Sequence, residues 1–235
     1  MSTNNMYESG DYLNNNPTWH SEDSPWKAKH IYNIISKNQI KYSKIAEIGC
    51  GAGKILENLS NLIKDSSVRF DGYDISPQAI ELASTIKSDR IKFHLCDLTE
   101  KEPDDYDILL IIDVIEHIPD YLTFLEKCKS KAKYKIFHIP LDISALSVLL
   151  NRIVPKRYEI GHLHYFTYES ALAVLKDTGY EIIDCFYTNS AIGLFKQHPS
   201  IPRGIVNIPR IILSKLSVHL TARLFGGFSL LVLTK

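Results

Sequence analysis

After Asp184 the chain has no acidic residue, although Lys196, Arg203, Arg210, Lys215, Arg223 and Lys235 all follow it. Residues 1–184 therefore hold 21 basic residues against 27 acidic ones, while the whole chain balances at 27 of each. A balanced chain lacks the global basic field that recruits nucleic acid, so no nucleic-acid partner is expected. Cysteine is scarce: Cys50, Cys96, Cys128 and Cys185 are widely separated and form no C-x-x-C pair, which argues against a zinc site or a disulfide framework. No run of 18 apolar residues occurs and the first residues show no basic-then-apolar leader. A soluble cytoplasmic protein is expected, with 235 residues forming one large α/β domain.

What is present is organised around Lys44 to Gly53, an apolar stretch running into glycines at alternate positions, Gly49, Gly51 and Gly53. Such a turn bends sharply and leaves no Cβ where a ligand must lie against the main chain. A dinucleotide fingerprint counted from Gly49 needs glycine at 54, which is Lys54. A P-loop ending at Gly53-Lys54 needs glycine at 48 and Ser or Thr at 55, and these are Ile48 and Ile55. The remaining pattern, E-x-G-x-G-x-G from Glu47, resembles the first motif of class I S-adenosylmethionine-dependent methyltransferases.

The rest of the chain follows an alternating order. Ser24-Pro25 starts a helix running to about Ser36. Strands are expected at Lys44 to Ile48, Val68 to Asp74, Arg90 to Leu95, Tyr106 to Ile112 and Tyr134 to Ile139, with helices between them, the last from about Tyr121 to Ala132. A helix capped by Thr167, a sixth strand from Gly179 to Tyr187 and a last strand from Phe228 to Thr234 complete the pattern. This order implies a doubly wound, mostly parallel sheet, whose ligands bind at the carboxyl ends of the strands. The resemblance implies seven strands, the last antiparallel. Residues 1–39 read as an N-terminal extension and helix, 40–140 as the cofactor-binding core, and 141–166 and 190–224 as insertions forming a substrate lid.

Gly49, Asp74, Asp97 and Asp113 all fall at strand ends. Asp74 lies at the end of the second strand, where a carboxylate can accept hydrogen bonds from a ribose diol. The resemblance implies S-adenosylmethionine as cofactor, received by Glu47, Gly49, Cys50, Gly51, Gly53, Asp74, Ile75, Cys96, Asp97, Leu98, Asp113 and Val114. Within it Asp97 corresponds to an acid near the adenine amino group. Asp113 to Asp120, D-V-I-E-H-I-P-D, resembles the fourth motif of small-molecule members such as those acting on quinone precursors. His117, His162 and His164 are the candidate bases, since imidazole titrates near neutrality.

The pair His162 and His164 has no further ligand-spaced set beside it, so no metal is expected. The implied activity is methyl transfer to a hydroxyl or amine of a small molecule, leaving S-adenosylhomocysteine. The alternative is a non-catalytic cofactor-binding protein with a regulatory role. An aminopropyl transferase would need an acidic catalytic loop, and protein or nucleic-acid acceptors commonly go with an Asn/Asp-Pro-Pro-Tyr/Phe motif after the fourth strand; neither is present. Monomer and homodimer are both compatible with the sequence. In the acid-free end Pro209 is expected at the first position of a helix. Ile212, Leu216, Leu220 and Leu224 recur every fourth residue, predicting a buried apolar face or, with Arg203, Arg210, Lys215 and Arg223, a contact with an anionic membrane or acceptor.

Overall fold

The computed structural model describes residues 21–102, 105–189, 191 and 201–235. Seven strands form one sheet: β1 (Lys44–Ile48), β2 (Arg69–Asp74), β3 (Ile91–Leu95), β4 (Tyr106–Ile112), β5 (Ala132–Pro140), β6 (Ile182–Thr188) and β7 (Ser229–Thr234). Their order is β3-β2-β1-β4-β5-β7-β6. The first five run parallel, and β7 lies antiparallel between β5 and β6, as expected from the resemblance. The order reverses at β1, which pairs with β2 on one side and β4 on the other. Ligands of open α/β sheets bind at such a switch point.

Residue alternation along the strands divides the core in two. Ile108, Leu110 and Ile45 face a layer that holds Ala28, Ile31, Ile34 and Ile35 of α1 (Ser24–Lys37) and Leu56 and Leu59 of α2 (Lys54–Leu62). Leu109, Ile111 and Ala46 face the opposite layer, with Phe124 and Leu125 of α4 (Tyr121–Cys128) and Ala171 and Leu175 of α7 (Tyr168–Asp177). In sequence β2 is followed by α3 (Pro77–Ala83), which packs against β2 and β3 and is capped by the Ser76 hydroxyl, which accepts from the Ala79 amide. Burying both faces of β4 explains its unbroken apolar sequence, each fully buried Ile or Leu contributing about 1.5–3 kcal/mol.

The expected boundaries shift at three places. The helix starting at Tyr121 stops at Cys128, and a 3-10 turn at Lys129–Lys131 leads directly into β5. The sixth strand begins at Ile182, because Gly179 (φ 82) closes α7 and Tyr180 turns inward to donate its hydroxyl to the Leu125 carbonyl. The 141–166 segment contains α5 (Ala145–Leu149) and α6 (Ile153–Glu159).

The acid-free end departs furthest from expectation. Pro209 lies inside α8 (Ile201–Ser214) and not at its start. The series Ile212, Leu216, Leu220, Leu224 is split, because α8 ends at Ser214 and Ser217 caps a separate α9 (Val218–Phe225). Its members are exposed, Ile212 at 61% and Leu216 at 81%, so the predicted buried face is not covered among the described residues. α9 instead turns Thr221 and Ala222 inward and packs beside α5. Among the described residues no helix is long and apolar enough to cross a membrane.

Candidate functional site

The glycine loop is held by its neighbours in space. The amides of Gly49 and Cys50 donate to the Tyr73 carbonyl at 2.8 and 3.1 Å, carrying β1 pairing one step past its end. Gly49, Gly51 and Gly53 have φ of 68°, 51° and 72°, a region costly for any residue with a Cβ. A Cβ on Gly49 would also lie 2.9 Å from Val114 Cγ2. Asp74, at the end of β2, clasps the loop: its Oδ2 accepts from the Gly51 amide and its Oδ1 from the Ser76 amide, both at 2.9 Å. Burial pushes this carboxyl above its ordinary value, more than the amides pull it down. Each of its oxygens keeps a second lone pair.

Beneath the loop lies a charge network. Asp113 sits just beyond β4 with φ of 54°, a strained setting for aspartate. Its Oδ1 accepts from His138 Nδ1 at 2.6 Å and its Oδ2 from Lys27 Nζ at 2.7 Å. Lys27, on α1, also pairs with Asp23 at 2.9 Å. Burial alone would raise the Asp113 carboxyl, but His138 and Lys27 outweigh it and hold it well below the carboxylate range. Burial likewise acts to lower the Lys27 ammonium, and Asp113 and Asp23 override it upward. Glu47 is buried at the end of β1 with Oε2 unpartnered among the described residues, and burial pushes its carboxyl well up.

Past Asp113, a 3-10 turn at Ile115–His117 builds the far end of the site. The Glu116 carbonyl accepts from the amides of Leu163 at 2.7 Å and His164 at 3.1 Å, which pins the 161–164 loop here. His117 Nδ1 donates to the Gly161 carbonyl at 3.1 Å, so its Nε2 carries the lone pair in the neutral ring. His162 Nδ1 donates to Asp142 Oδ2 at 2.5 Å, and Lys156 pairs with the other oxygen of Asp142. Each Nε2 lies 4.0 Å from Glu116 Oε1. Glu116 is 1% exposed, and neither carboxylate oxygen has a hydrogen-bond partner among the described residues. Burial, with Asp113 nearby, pushes that carboxyl well up, and burial followed by His162 pushes His117 down to about 4.

One atom from each of Glu116, His117 and His162 lies within 4.8 Å of the others, a set able to hold a metal ion that sequence spacing did not reveal. A metal with bonds of about 2.1 Å spans at most about 4.2 Å between two ligands, so small rotations close the set.

These features share one cavity of about 510 Å³, within the usual size of small-molecule sites. Of the sequence candidates, Glu47, Gly49, Cys50, Gly51, Asp74, Ile75, Asp113, Val114, His117 and His162 line it. Gly53 stands behind the loop as the N-cap of α2. Cys96, Asp97 and Leu98 do not line it: Leu98 is core, and Asp97 Oδ1 accepts from the Thr99 amide as a cap. His164 is also turned away, its Nε2 donating to the carbonyls of Ile118 and Pro119.

Sequence reasoning missed Lys27, Asp142 and Lys156, and did not place Arg210 in the cavity wall. Their only signal was a polar residue beside a strand end or on an otherwise apolar helix, and that signal is common. Residues 1–20 of the N-terminal extension lie outside the described residues, while Asp23, Ser24 and Lys27 line the cavity.

Comparison with known proteins agrees with this geometry. Residues 46–133 match the family model described as a methyltransferase domain. A ubiquinone biosynthesis O-methyltransferase of Xanthomonas euvesicatoria is 24% identical over 71% of this chain and 77% of its own length. For one of Xanthomonas campestris the values are 23%, 49% and 52%, so the match spans about half of that relative.

Among solved structures, magnesium protoporphyrin IX methyltransferase of Synechocystis, with bound S-adenosylhomocysteine, has a TM-score of 0.59 at 14% identity, covering 89% of this chain and 82% of that one. A SAM-dependent methyltransferase of Archaeoglobus fulgidus has 0.58 at 19%, covering 88% and 94%. A [4+2]-cyclase has 0.57 at 13%, covering 88% and 80%, so the fold by itself does not dictate the chemistry. With the glycine loop and strand-end acids in place, the methyltransferase-domain match over residues 46–133 and the shared sheet show that the chain has the fold of the class I S-adenosylmethionine-dependent methyltransferases.

Proposed function

We propose that the chain transfers the methyl group of S-adenosylmethionine to a hydroxyl oxygen of a small molecule, and that Glu116, His117 and His162 hold a divalent cation beside that oxygen. The observation carrying this reading is the cluster itself: a buried carboxyl with both oxygens unpartnered among the described residues, facing two imidazole Nε2 atoms at 4.0 Å. Three groups with lone pairs turned on one point are satisfied by a proton on the carboxyl or by a cation among them, and the convergence of two imidazole nitrogens with the carboxyl is the arrangement a cation uses. The Gly161 carbonyl and the Asp142 carboxylate behind the rings are the outer partners that fix metal-binding histidines. A donor set of two imidazoles and one carboxylate suits zinc or manganese better than calcium.

The residues present fit the cofactor. The glycine loop leaves room along the main chain, Asp74 keeps a lone pair on each oxygen for the ribose diol, and exposed Ile75 offers an apolar surface to the adenine. Glu47 and Asp113, which line the cavity beside the glycine loop, would present carboxyl oxygens to the methionine end of the cofactor. The oxygen–methyl bond forms as the sulfur–methyl bond breaks, S-adenosylhomocysteine departs, and the hydroxyl proton must leave first or together with it. A cation lowers the pKa of a bound hydroxyl, and the chain's own work is alignment and exclusion of water. The O-methyltransferase relatives support oxygen over nitrogen, and a neutral amine would leave the cluster without a task.

The test is to titrate the chain, loaded with S-adenosylhomocysteine, with Mn²⁺ and Zn²⁺, and to assay labelled S-adenosylmethionine against hydroxylated and amine metabolites by mass spectrometry. One ion per chain, lost in Glu116→Gln, and label on oxygen are expected. Label on nitrogen alone would sink the hydroxyl reading, and full turnover in chelator without metal binding would sink the cation.

A further inference from the structure

The acceptor end of the cavity contains a positive charge that the chemistry above does not use. Arg210, on α8, is 7% exposed and lines the cavity with Arg152 and Lys156. Lys156 is neutralised by Asp142, which also takes His162. Among the described residues no carboxylate pairs with Arg210 or Arg152. Arg210 donates through Nη1 to the Asn207 side chain and through Nη2 to the Phe225 carbonyl at 2.9 Å, both uncharged, while its Nε is buried and has no partner among the described residues. The backbone is shaped to admit the guanidinium: Gly227 has φ of 82°, and a Cβ there would lie 2.8 Å from Arg210 Cζ.

A buried cation with neutral partners and a second cation near it is costly, and a neutral side chain could join α8 to the end of α9 without that cost. Burial, then Arg152, pushes the guanidinium below its ordinary value, the direction expected where no counter-ion is present. The charge is accounted for if the counter-ion arrives with the ligand, since a guanidinium matches the two oxygens of a carboxylate or phosphate.

We infer that Arg210, assisted by Arg152, forms an anion subsite in the acceptor half of the cavity, and that the methyl acceptor carries a carboxylate or phosphate group seated there. This deepens the proposed function and rests on it only for the word acceptor. Arg223 and Lys215 do not join the subsite: Arg223 pairs with Glu169, and neither lines the cavity.

The chain saturated with S-adenosylhomocysteine is titrated calorimetrically with benzoate, with inorganic pyrophosphate, and with uncharged benzyl alcohol. The same is done for Arg210→Met, Arg210→Gln and Arg152→Ala, each checked by circular dichroism. Benzoate or pyrophosphate should bind once per chain, identifying the carboxylate or the phosphate, and benzyl alcohol should not. Both Arg210 variants should weaken the anion about tenfold or more, and Arg152→Ala, at an exposed position that threatens no fold, severalfold.

Neither anion binding wild type, or unchanged affinity in the Arg210 variants, overturns the subsite. If those variants fail to fold, unchanged affinity in Arg152→Ala does so. Failure of S-adenosylhomocysteine itself to bind, measured in the same samples, is a separate result and would count against the methyltransferase reading.

Discussion

Replacing Gly49 by alanine tests the loop and the packing behind it together. The new Cβ meets two separate penalties. The backbone there has φ of 68°, which costs a residue with a side chain roughly 1–2 kcal/mol. The Cβ also falls 2.9 Å from Val114 Cγ2, where about 3.5–4.0 Å is comfortable, and relieving such an overlap costs about 1–3 kcal/mol. Gly49→Ala should therefore destabilise the chain by about 2–5 kcal/mol and weaken S-adenosylhomocysteine binding, because the loop cannot keep its amides on the Tyr73 carbonyl.

Val114→Ala removes the clashing methyls at about 1 kcal/mol or less. In the double variant the steric part should vanish and the backbone part remain, giving a coupling energy of about 1–3 kcal/mol. Urea unfolding of the four proteins, compared by midpoint at constant slope, reads this directly. A neutral Gly49→Ala, or a double variant with no coupling, would show that the approach of Val114 to the loop is wrong.

The Lys27–Asp113–His138 network makes a prediction in pH. Asp113 has a depressed folded pKa, so its contribution is present above about pH 4 and is lost as pH falls through the folded value. Lys27 has a raised one, so its contribution is present below about pH 10 and is lost as pH rises through the folded value. Lys27→Met should cost about 1–3 kcal/mol at pH 7, moderated by the 25% exposure of Asp113, and the deficit should shrink toward pH 2; a deficit independent of pH would refute the pairing. His117→Ala and His162→Ala should each lose about a hundredfold or more in turnover, while His164→Ala stays within about threefold, all with S-adenosylhomocysteine affinity retained. Equal losses in all three would overturn the placement of His164 outside the site. Asp74→Ala should weaken the cofactor by about 1–3 kcal/mol, and calorimetry showing no change would remove Asp74 from the ribose contact.

Local features of the sequence carried most of the fold. The alternate glycines, the apolar run of β4 and the caps at Ser76 and Thr167 depend on a few neighbouring residues, so the alternation of strands and helices could be read from them, while the antiparallel last strand came from the resemblance. Asp74 and Asp113 were legible because a strand end places a side chain at the switch point whatever surrounds it. Which histidine faces the cavity was not legible, since His162 and His164 both precede α7 and differ only in partners 20 and 46 residues away, Asp142 and the Ile118 carbonyl.

The Glu116 cluster was hidden for the same reason: 44 residues separate the turn bearing His117 from its Gly161 partner, and only the pinning of one loop onto the other brings the three groups together. Arg210 read as a surface charge because periodicity reports which helix faces are apolar and not what lies against them. The exposure of Ile212 and Leu216 has the same origin. An every-fourth pattern specifies one face only while the helix continues, and Ser217 starts a new helix whose orientation is decided by the fit of Thr221 and Ala222 against the rest of the chain.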